Sequence, residues 1–473
     1  MNPTTSTRSR TRLAIAAVAL IALGGCATLN SDGGFGPVEQ TANDRLGKDV
    51  KWARSDADRD AIYKRVTRLL AHPLPADDAV QIALLNNRGL QASFAELGIS
   101  EADRMQAGRL SNLGFSFGRL TQGSGLEFDR SIQFNLARQL MLPTINQIES
   151  RRFEQTRGAV ALSVLSLASE TRKAYSLAVA ADETGRYLLQ VQTAAEAGAE
   201  LARRQAQAGN WNKLQQAREQ SFYADAALNL ARSEQARNAA RERLTRMMGL
   251  WGAQTQFHLH ERLPDLPKAP NDLPDIEQAA MAQRLDVQAA KLSTEQVAKN
   301  LGLRRATRFI NVLEVGAVRN SYNHAATQRG CTSSVELPLF DWGAARVAKA
   351  EAVYMQAVNR AAETTINASI EVHGACKNYR TSYDIARHFR DEIVPLKKRI
   401  SAENQLRCNG NLIGVFELLA DVRSQITSEN GYIDALRDFW LAQADLNMAL
   451  IGTPGMTAMP AAMPAMDSRA AAH

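Results

Sequence analysis

The stretch DAVQIALLNNRGLQA at residues 78–92 returns, weakened, as DIEQAAMAQRLDVQA at residues 275–289. Two later landmarks keep nearly the same offset. Ile132-Gln133-Phe134-Asn135-Leu136 corresponds to Val335-Glu336-Leu337-Pro338-Leu339, and Ala208-Gly209-Asn210 to Asn409-Gly410-Asn411. Three landmarks in one order, about 200 residues apart, mark the duplication of one large unit rather than a short solenoid repeat.

Each copy reads as a helix, two short strands and a long helical stretch that doubles back. No proline occurs between Pro143 and Pro264, and the intervening residues are rich in the helix formers Ala, Leu, Glu, Gln and Arg. Val160, Val164, Leu167, Ala174, Ala178, Ala181 and Leu188 recur at steps of four and three, with Thr171 and Gly185 in the gaps. This is a heptad seam of mostly small residues, so the helices are expected to pack closely. The pattern breaks at Gly209-Asn210-Trp211-Asn212 and resumes to Met248. It predicts two antiparallel helices of roughly 50 residues, each on the order of 75 Å long. The second copy repeats this from Trp342 to Leu450 with Asn409-Gly410-Asn411 as its turn. Glycine at both turns is expected to reverse the chain with positive φ. Pro395 is expected to bend the helix it interrupts.

Between these helices the period changes to two. Leu113, Phe115 and Phe117 alternate with Asn112, Gly114, Ser116 and Gly118. Phe128, Ile132, Phe134 and Leu136 alternate with Asp129, Ser131, Gln133 and Asn135, with Arg130 breaking the apolar row. A weaker third strand is read at Arg308 to Val318, and a fourth at Ser333 to Leu339, with loops at Thr121 to Gly125 and Asn320 to Gly330. One apolar face over about ten residues suits a transmembrane barrel. A soluble sheet with one wet face remains the alternative. Four strands cannot close, and an open edge in hydrocarbon leaves backbone groups without partners, so a membrane sheet requires several chains.

The N-terminus predicts the compartment. Arg8, Arg10 and Arg12 precede an apolar run from Leu13 to Leu23, too short to span a bilayer and suited to a signal peptide. Leu23-Gly24-Gly25-Cys26 resembles the lipobox of bacterial lipoproteins, whose cysteine thiol takes the diacylglycerol. The mature chain is therefore expected to begin at Cys26, and Ala27, where Asp would by resemblance favour inner-membrane retention, points to the outer membrane. Removing a leader with three arginines lowers the formal charge of the 473-residue chain from +7 to +4. The excess is spread out, with no basic block of the kind that grips nucleic acid. Cys331, Cys376 and Cys408 are too widely spaced for a disulfide framework or a zinc pattern.

No phosphate loop, nucleophile elbow or metal-spaced cluster is present, so no enzyme activity, cofactor or metal is expected. His258 and His260 lie in a stretch that reads as a connector. The tail carries Met456, Met459, Met463 and Met466, soft ligands among Ala and Pro of a kind usual in disordered tails. Beyond the second turn, Glu417 and Asp421 share one helix face, a mildly destabilising like-charge pair. Either a basic neighbour such as Lys213 or Arg423, or solvation, compensates for it, or the pair lines a pore as an acidic ring.

The run Leu337-Pro338-Leu339-Phe340-Asp341-Trp342-Gly343, the turn Asn409-Gly410-Asn411-Leu412 and the following Leu418-Leu419-Ala420-Asp421-Val422-Arg423 resemble the TolC-type outer-membrane efflux family. The resemblance covers nearly the whole mature chain. The first copy departs from it, with Leu136-Ala137-Arg138-Gln139-Leu140 lacking the proline of the second. The resemblance implies a mixed, mainly α fold: a duplicated unit of coiled-coil hairpins and four transmembrane strands, closing as a homotrimer into a β-barrel with an α-helical periplasmic tunnel. It also implies a periplasmic adaptor docking at Gly209, Asn210, Trp211, Asn409, Gly410 and Asn411, and an inner-membrane pump of the resistance-nodulation-division class. Family members often carry an acidic residue where this chain has Ala420, one position before Asp421. The expected segments are a leader (1–25), an anchor segment (26–72), a first repeat (73–265), a second repeat (266–452) and a disordered tail (453–473). The expected role is lipid-anchored efflux of metal ions such as copper, or of drugs, across the outer membrane. A periplasmic coiled-coil scaffold or the outer component of type I protein secretion are the alternatives.

Overall fold

A computed structural model describes residues 32–271, 276–307, 313–323, 325–335, 340, 342–410 and 412–453. The first half of the chain supplies α1 (Gly36–Leu46), α2 (Asp56–Leu69), α3 (Ala76–Asn86), α4 (Arg88–Gly108), β1 (Gly114–Gln122), β2 (Gly125–Asn135), α5 (Leu136–Gln207) and α6 (Lys213–Met248). The second supplies α7 (Ile276–Gln283), α8 (Leu285–Ala306), β3 (Leu313–Tyr322), β4 (Gln328–Val335), α9 (Ala344–His388), α10 (Val394–Asn409) and α11 (Val415–Ala449). The same helix, helix, hairpin, long helical hairpin order thus occurs twice, as the duplicated sequence requires. The chain divides into a sheet unit, built mainly from Ala95–Arg157 and Ala289–Ala362, and a helical unit built from Pro37–Phe94, Gly158–Gln288 and the chain from Glu363 onward.

The sheet unit carries one antiparallel sheet in the order β1-β2-β3-β4. The central pairing joins the two repeats, with Ile132 opposite Ala317 and Phe134 opposite Val315. Among the described residues neither β1 nor β4 has a second neighbour. The second hairpin differs from expectation. β3 runs on to Tyr322 and β4 begins at Gln328, so the loop read at Asn320 to Gly330 shrinks to a few residues, while 308–312 and 336–339 lie outside the described residues. The polar Arg319-Asn320-Ser321 run has weak strand propensity of its own and is held extended by pairing with Asp129, Arg130 and Phe128, a tertiary override.

The main core of the helical unit is fed by both repeats. Leu74, Ile82, Ala174, Ala178, Val179, Leu244 and Met248 from the first repeat pack with Tyr379, Tyr383, Phe439 and Leu446 from the second. The predicted seam is where expected: Val160, Val164, Thr171, Ala174, Ala178 and Gly185 are buried and Leu167, Ala181 and Leu188 partly so. α5, however, starts directly at the end of β2 and passes through Pro143, giving 72 residues against 36 in α6, rather than two equal arms. Pro143 is the eighth residue of the helix, past its first turn, so it removes one backbone donor there while the helix continues. Residues 158–207, the part of α5 in the helical unit, still rise about 75 Å at 1.5 Å per residue.

The bend expected at Pro395 is a π-helical turn, Phe389–Ile393, with Pro395 in the first turn of α10. A π turn absorbs one extra residue without breaking the helix. Its Phe389 ring lies against α11 at Gly431, where an added Cβ would fall 2.8 Å from the ring.

The connector after α6 is pinned from both repeats. Leu74 N donates to His258 O at 2.8 Å. Trp440 Nε1 donates to Pro264 O at 3.0 Å, and Tyr383 Oη to Lys268 O at 2.9 Å. The end of α11 is tied to the start of the second repeat by Arg284, which is fully buried and bonds Asp286 at 2.6 Å, Glu371 at 2.8 Å and Ala449 O at 2.7 Å. Burial pushes the Asp286 carboxyl up, but the Arg284 guanidinium and the Thr453 N–H more than offset this and hold it below its ordinary value.

Candidate functional site

The tip of the first hairpin is built by local chemistry. α5 ends on Gly209 at φ +77°, and the N–H groups of Asn210 and Trp211 turn back to Gln205 O at 2.9 and 3.2 Å. Glycine carries this left-handed backbone at no steric cost. Asn212 then starts α6 with a capping box, its side chain accepting from Gln215 N and its own N–H donating to the Gln215 side chain. The second tip is not a copy. Gly410 sits at φ −82°, so no positive φ is needed there, and Leu412 N returns to Arg407 O at 2.8 Å. Asn411 lies outside the described residues.

Two turns beyond the tips, Arg423 of α11 reaches Glu219 of α6 at 2.6 Å and lies over the Phe222 ring at 4.2 Å from its centroid. Glu219 is 1% exposed. Beside this pair Val191, Ala195 and Ala226 pack with Tyr187, Phe222, Tyr223 and Ile426. Sequence reasoning missed Glu219, although Glu219, Ala226 and Ser233 recur every seven residues and are all buried, so a heptad reading of α6 would have placed it on the seam.

Glu417 is exposed and Asp421 partly buried on α11. Among the described residues neither Lys213 nor Arg423 forms an ion pair with them; Arg423 is turned to Glu219 instead. Asp421 Oδ2 has no hydrogen-bond partner. His258 and His260 are exposed, and among the described residues no group of His, Cys, Asp or Glu could hold a metal ion. Cys331 is exposed and Cys376 and Cys408 are partly buried, all as free thiols. Cys26 and Met456, Met459, Met463 and Met466 lie outside the described residues.

The register sorts the sheet into two faces, since directly paired residues share a side. One side gathers Phe115, Phe117, Ile132, Phe134, Val315 and Ala317, and the other Ser116, Ser131, Gln133, Asp129, Asn320 and Thr332. Phe115 and Phe117 are 67% and 56% exposed, so among the described residues the apolar side is left uncovered there. Among the described residues no helix is long and apolar enough to cross a membrane.

No protein-family model and no curated protein sequence matches the chain. Solved structures do match over most of its length. The Campylobacter jejuni CmeC outer membrane channel superposes with a TM-score of 0.68 at 16% identity, over 79% of this chain and 85% of that one. The VceC outer membrane protein of Vibrio cholerae gives 0.66 at 14% identity over 80% and 96%. CusC, described in connection with transmembrane channel formation, gives 0.65 at 16% identity over 80% and 92%. With its mainly helical architecture and small antiparallel sheet, the chain has the TolC-type fold.

Proposed function

We propose that the chain is the outer-membrane channel subunit of a tripartite efflux system. The observation that carries this reading is the sheet: four strands with one exposed apolar face, one polar face and two open edges. An apolar sheet face of this kind belongs in hydrocarbon, and backbone edges there must be paired by further strands. Three copies would supply twelve strands, enough to close a barrel whose polar faces line a water-filled lumen. The similarity to structures described as outer membrane channels supports this assignment. Reconstitution of the full chain into planar bilayers with single-channel recording tests it.

On this reading the hairpin tips at Gly209, Asn210, Trp211, Asn409, Gly410 and Asn411 face the periplasm and meet an adaptor, which links the channel to an inner-membrane pump of the resistance-nodulation-division class. Metal ions such as copper, or drugs, are the cargo. Glu417 and Asp421, having no basic partner among the described residues, form a carboxylate ring at the tunnel end that favours cations. Cys26 carries the acyl chains that hold the chain to the outer membrane, where two lipid signals give stable anchoring. Labelled palmitate incorporated at wild-type level into a Cys26→Ser chain would contradict the anchor.

A further inference from the structure

The apolar face of the sheet is interrupted by arginines, and their arrangement has an order that the channel reading does not use. Phe117 pairs with Arg130, Arg130 with Arg319, and Arg319 with Arg329. Three arginines from β2, β3 and β4 therefore stand side by side in one cross-strand row. Arg119 of β1 pairs with Phe128, one row nearer the hairpin turns, and shares the same face. The Phe117 and Phe128 ring centroids, 6.0 Å apart across the two strands, confirm the common side.

Like charges directly opposite on a sheet repel at a Cβ separation of about 5 Å. Among the described residues nothing within the sheet neutralises them. The carboxylates of Glu127 and Asp129 alternate with Phe128 and Arg130 along β2 and so point to the polar face. Among the described residues no ion pair joins Arg119, Arg130, Arg319 or Arg329 to a carboxylate, and the described strand residues on their face include no Asp or Glu. The Arg130 guanidinium lies over the Phe128 ring, 5.8 Å from its centroid. Arg119, Arg319 and Arg329 are exposed and Arg130 partly so.

Position decides what could answer this charge. Toward the helices the same face is mainly apolar, through Phe115, Ile132, Ala317 and Cys331, then Phe134 and Val315 beside Ser333, then Leu313 and Val335. On the hairpin-turn side the arginine row breaks that band, leaving Phe117 in the row itself and Phe128 and Leu126 beyond it. An arginine on a lipid-facing strand is costly at the bilayer midplane and nearly neutral at the interface, and its long stem reaches toward the headgroups. Guanidinium also matches phosphate through paired N–H donors.

We propose that Arg119, Arg130, Arg319 and Arg329 form a binding site for the phosphate of an anionic lipid headgroup in the leaflet on the hairpin-turn side. This rests on the reading of the sheet as part of a membrane barrel. The lipid completes the charge balance that the strands leave open, and it fixes the depth at which the sheet sits.

The test uses the full chain reconstituted into phosphatidylcholine vesicles containing a minority of phosphatidylglycerol, followed by mild detergent extraction and mass spectrometry of the lipid that stays bound. Wild type is expected to retain phosphatidylglycerol well above its bulk proportion, and the Arg130→Gln, Arg319→Gln, Arg329→Gln variant on the order of a hundredfold less, as removal of three basic residues at about 1 kcal/mol each implies. Lysine at the same positions is expected to restore part of the retention. Because the triple variant can fail to insert, the wild type is also measured at about 1 M salt, where screening over about 3 Å cuts exposed charge attraction; retention is expected to fall. Wild type without enrichment, or an inserted variant that enriches equally, overturns the site. Conductance of the same wild-type preparation separates the two readings: a conducting barrel that enriches no anionic lipid sinks the site alone, and wild type that inserts and never conducts sinks the channel.

Discussion

Arg423 of the second repeat and Glu219 of the first form a 2.6 Å ion pair in which the carboxylate is 1% exposed. A buried carboxylate tolerates its site only while its partner is present, and removing one member of such a pair costs about 3 kcal/mol. Arg423→Ala is therefore expected to destabilise the packing of α11 on α6, and Glu219→Gln to relieve most of that loss. Hydrogen exchange over residues 213–226 and 418–430 reads this out. Equal exchange in wild type and Arg423→Ala would show the pair to be energetically idle.

Asp286 gives a pH dependence. Its carboxyl in the folded chain titrates below its ordinary value, whereas in the unfolded chain it titrates near about 3.9. A group whose folded pKa is depressed contributes stability above its unfolded pKa and loses that contribution as pH falls through the folded one. Helical stability is expected to fall as pH drops below about 4, and Asp286→Asn to be less stable at neutral pH but to show a shallower acid loss. Circular dichroism melts at neutral and acid pH measure the difference; parallel losses in both proteins would exclude Asp286 as a source.

The two hairpin tips are expected to respond unequally to the same substitution. Gly209→Val forces a β-branched residue to φ +77°, a strain of about 1–2 kcal/mol. Gly410→Val meets an ordinary φ of −82° and loses little through the backbone. Binding of the adaptor is therefore expected to weaken more in Gly209→Val, with membrane insertion unchanged. Crosslinks from residues 208–213 that reach lipid and never an adaptor would place the tip elsewhere.

Much of this architecture was legible in the residues themselves. The seam from Val160 to Leu188 follows from heptad spacing, and the two faces of β1 and β2 from strict alternation, because these patterns encode burial directly. Other features depend on what lies across space. The extension of β3 through Arg319 and Asn320 comes from pairing with β2, and nothing local announces it. Arg423, one of the neighbours that the sequence offers for Asp421, turns instead to Glu219, 204 residues away in sequence. Gly410 carried the same residue type as Gly209 without the same backbone, since a loop after a helix can reverse in more than one conformation.

Glu417 and Asp421 provide a test of the lumen. With no basic partner among the described residues, they are expected to attract cations at the tunnel end. Glu417→Gln with Asp421→Asn should reduce cation selectivity and weaken block by multivalent cations without altering trimer stability. Reversal potentials in a salt gradient decide it, and unchanged selectivity would return both carboxylates to the solvated surface.

The central claim is that the exposed apolar sheet closes with other copies into a membrane pore. Single-channel recording of the purified full chain in planar bilayers tests this most directly, with Arg423→Ala, a variant expected to loosen α11 on α6, recorded alongside. The account predicts discrete, uniform conductance steps from a heat-modifiable oligomer. Well-folded oligomers that insert and never conduct, in wild type and in the loosened variant alike, would contradict it.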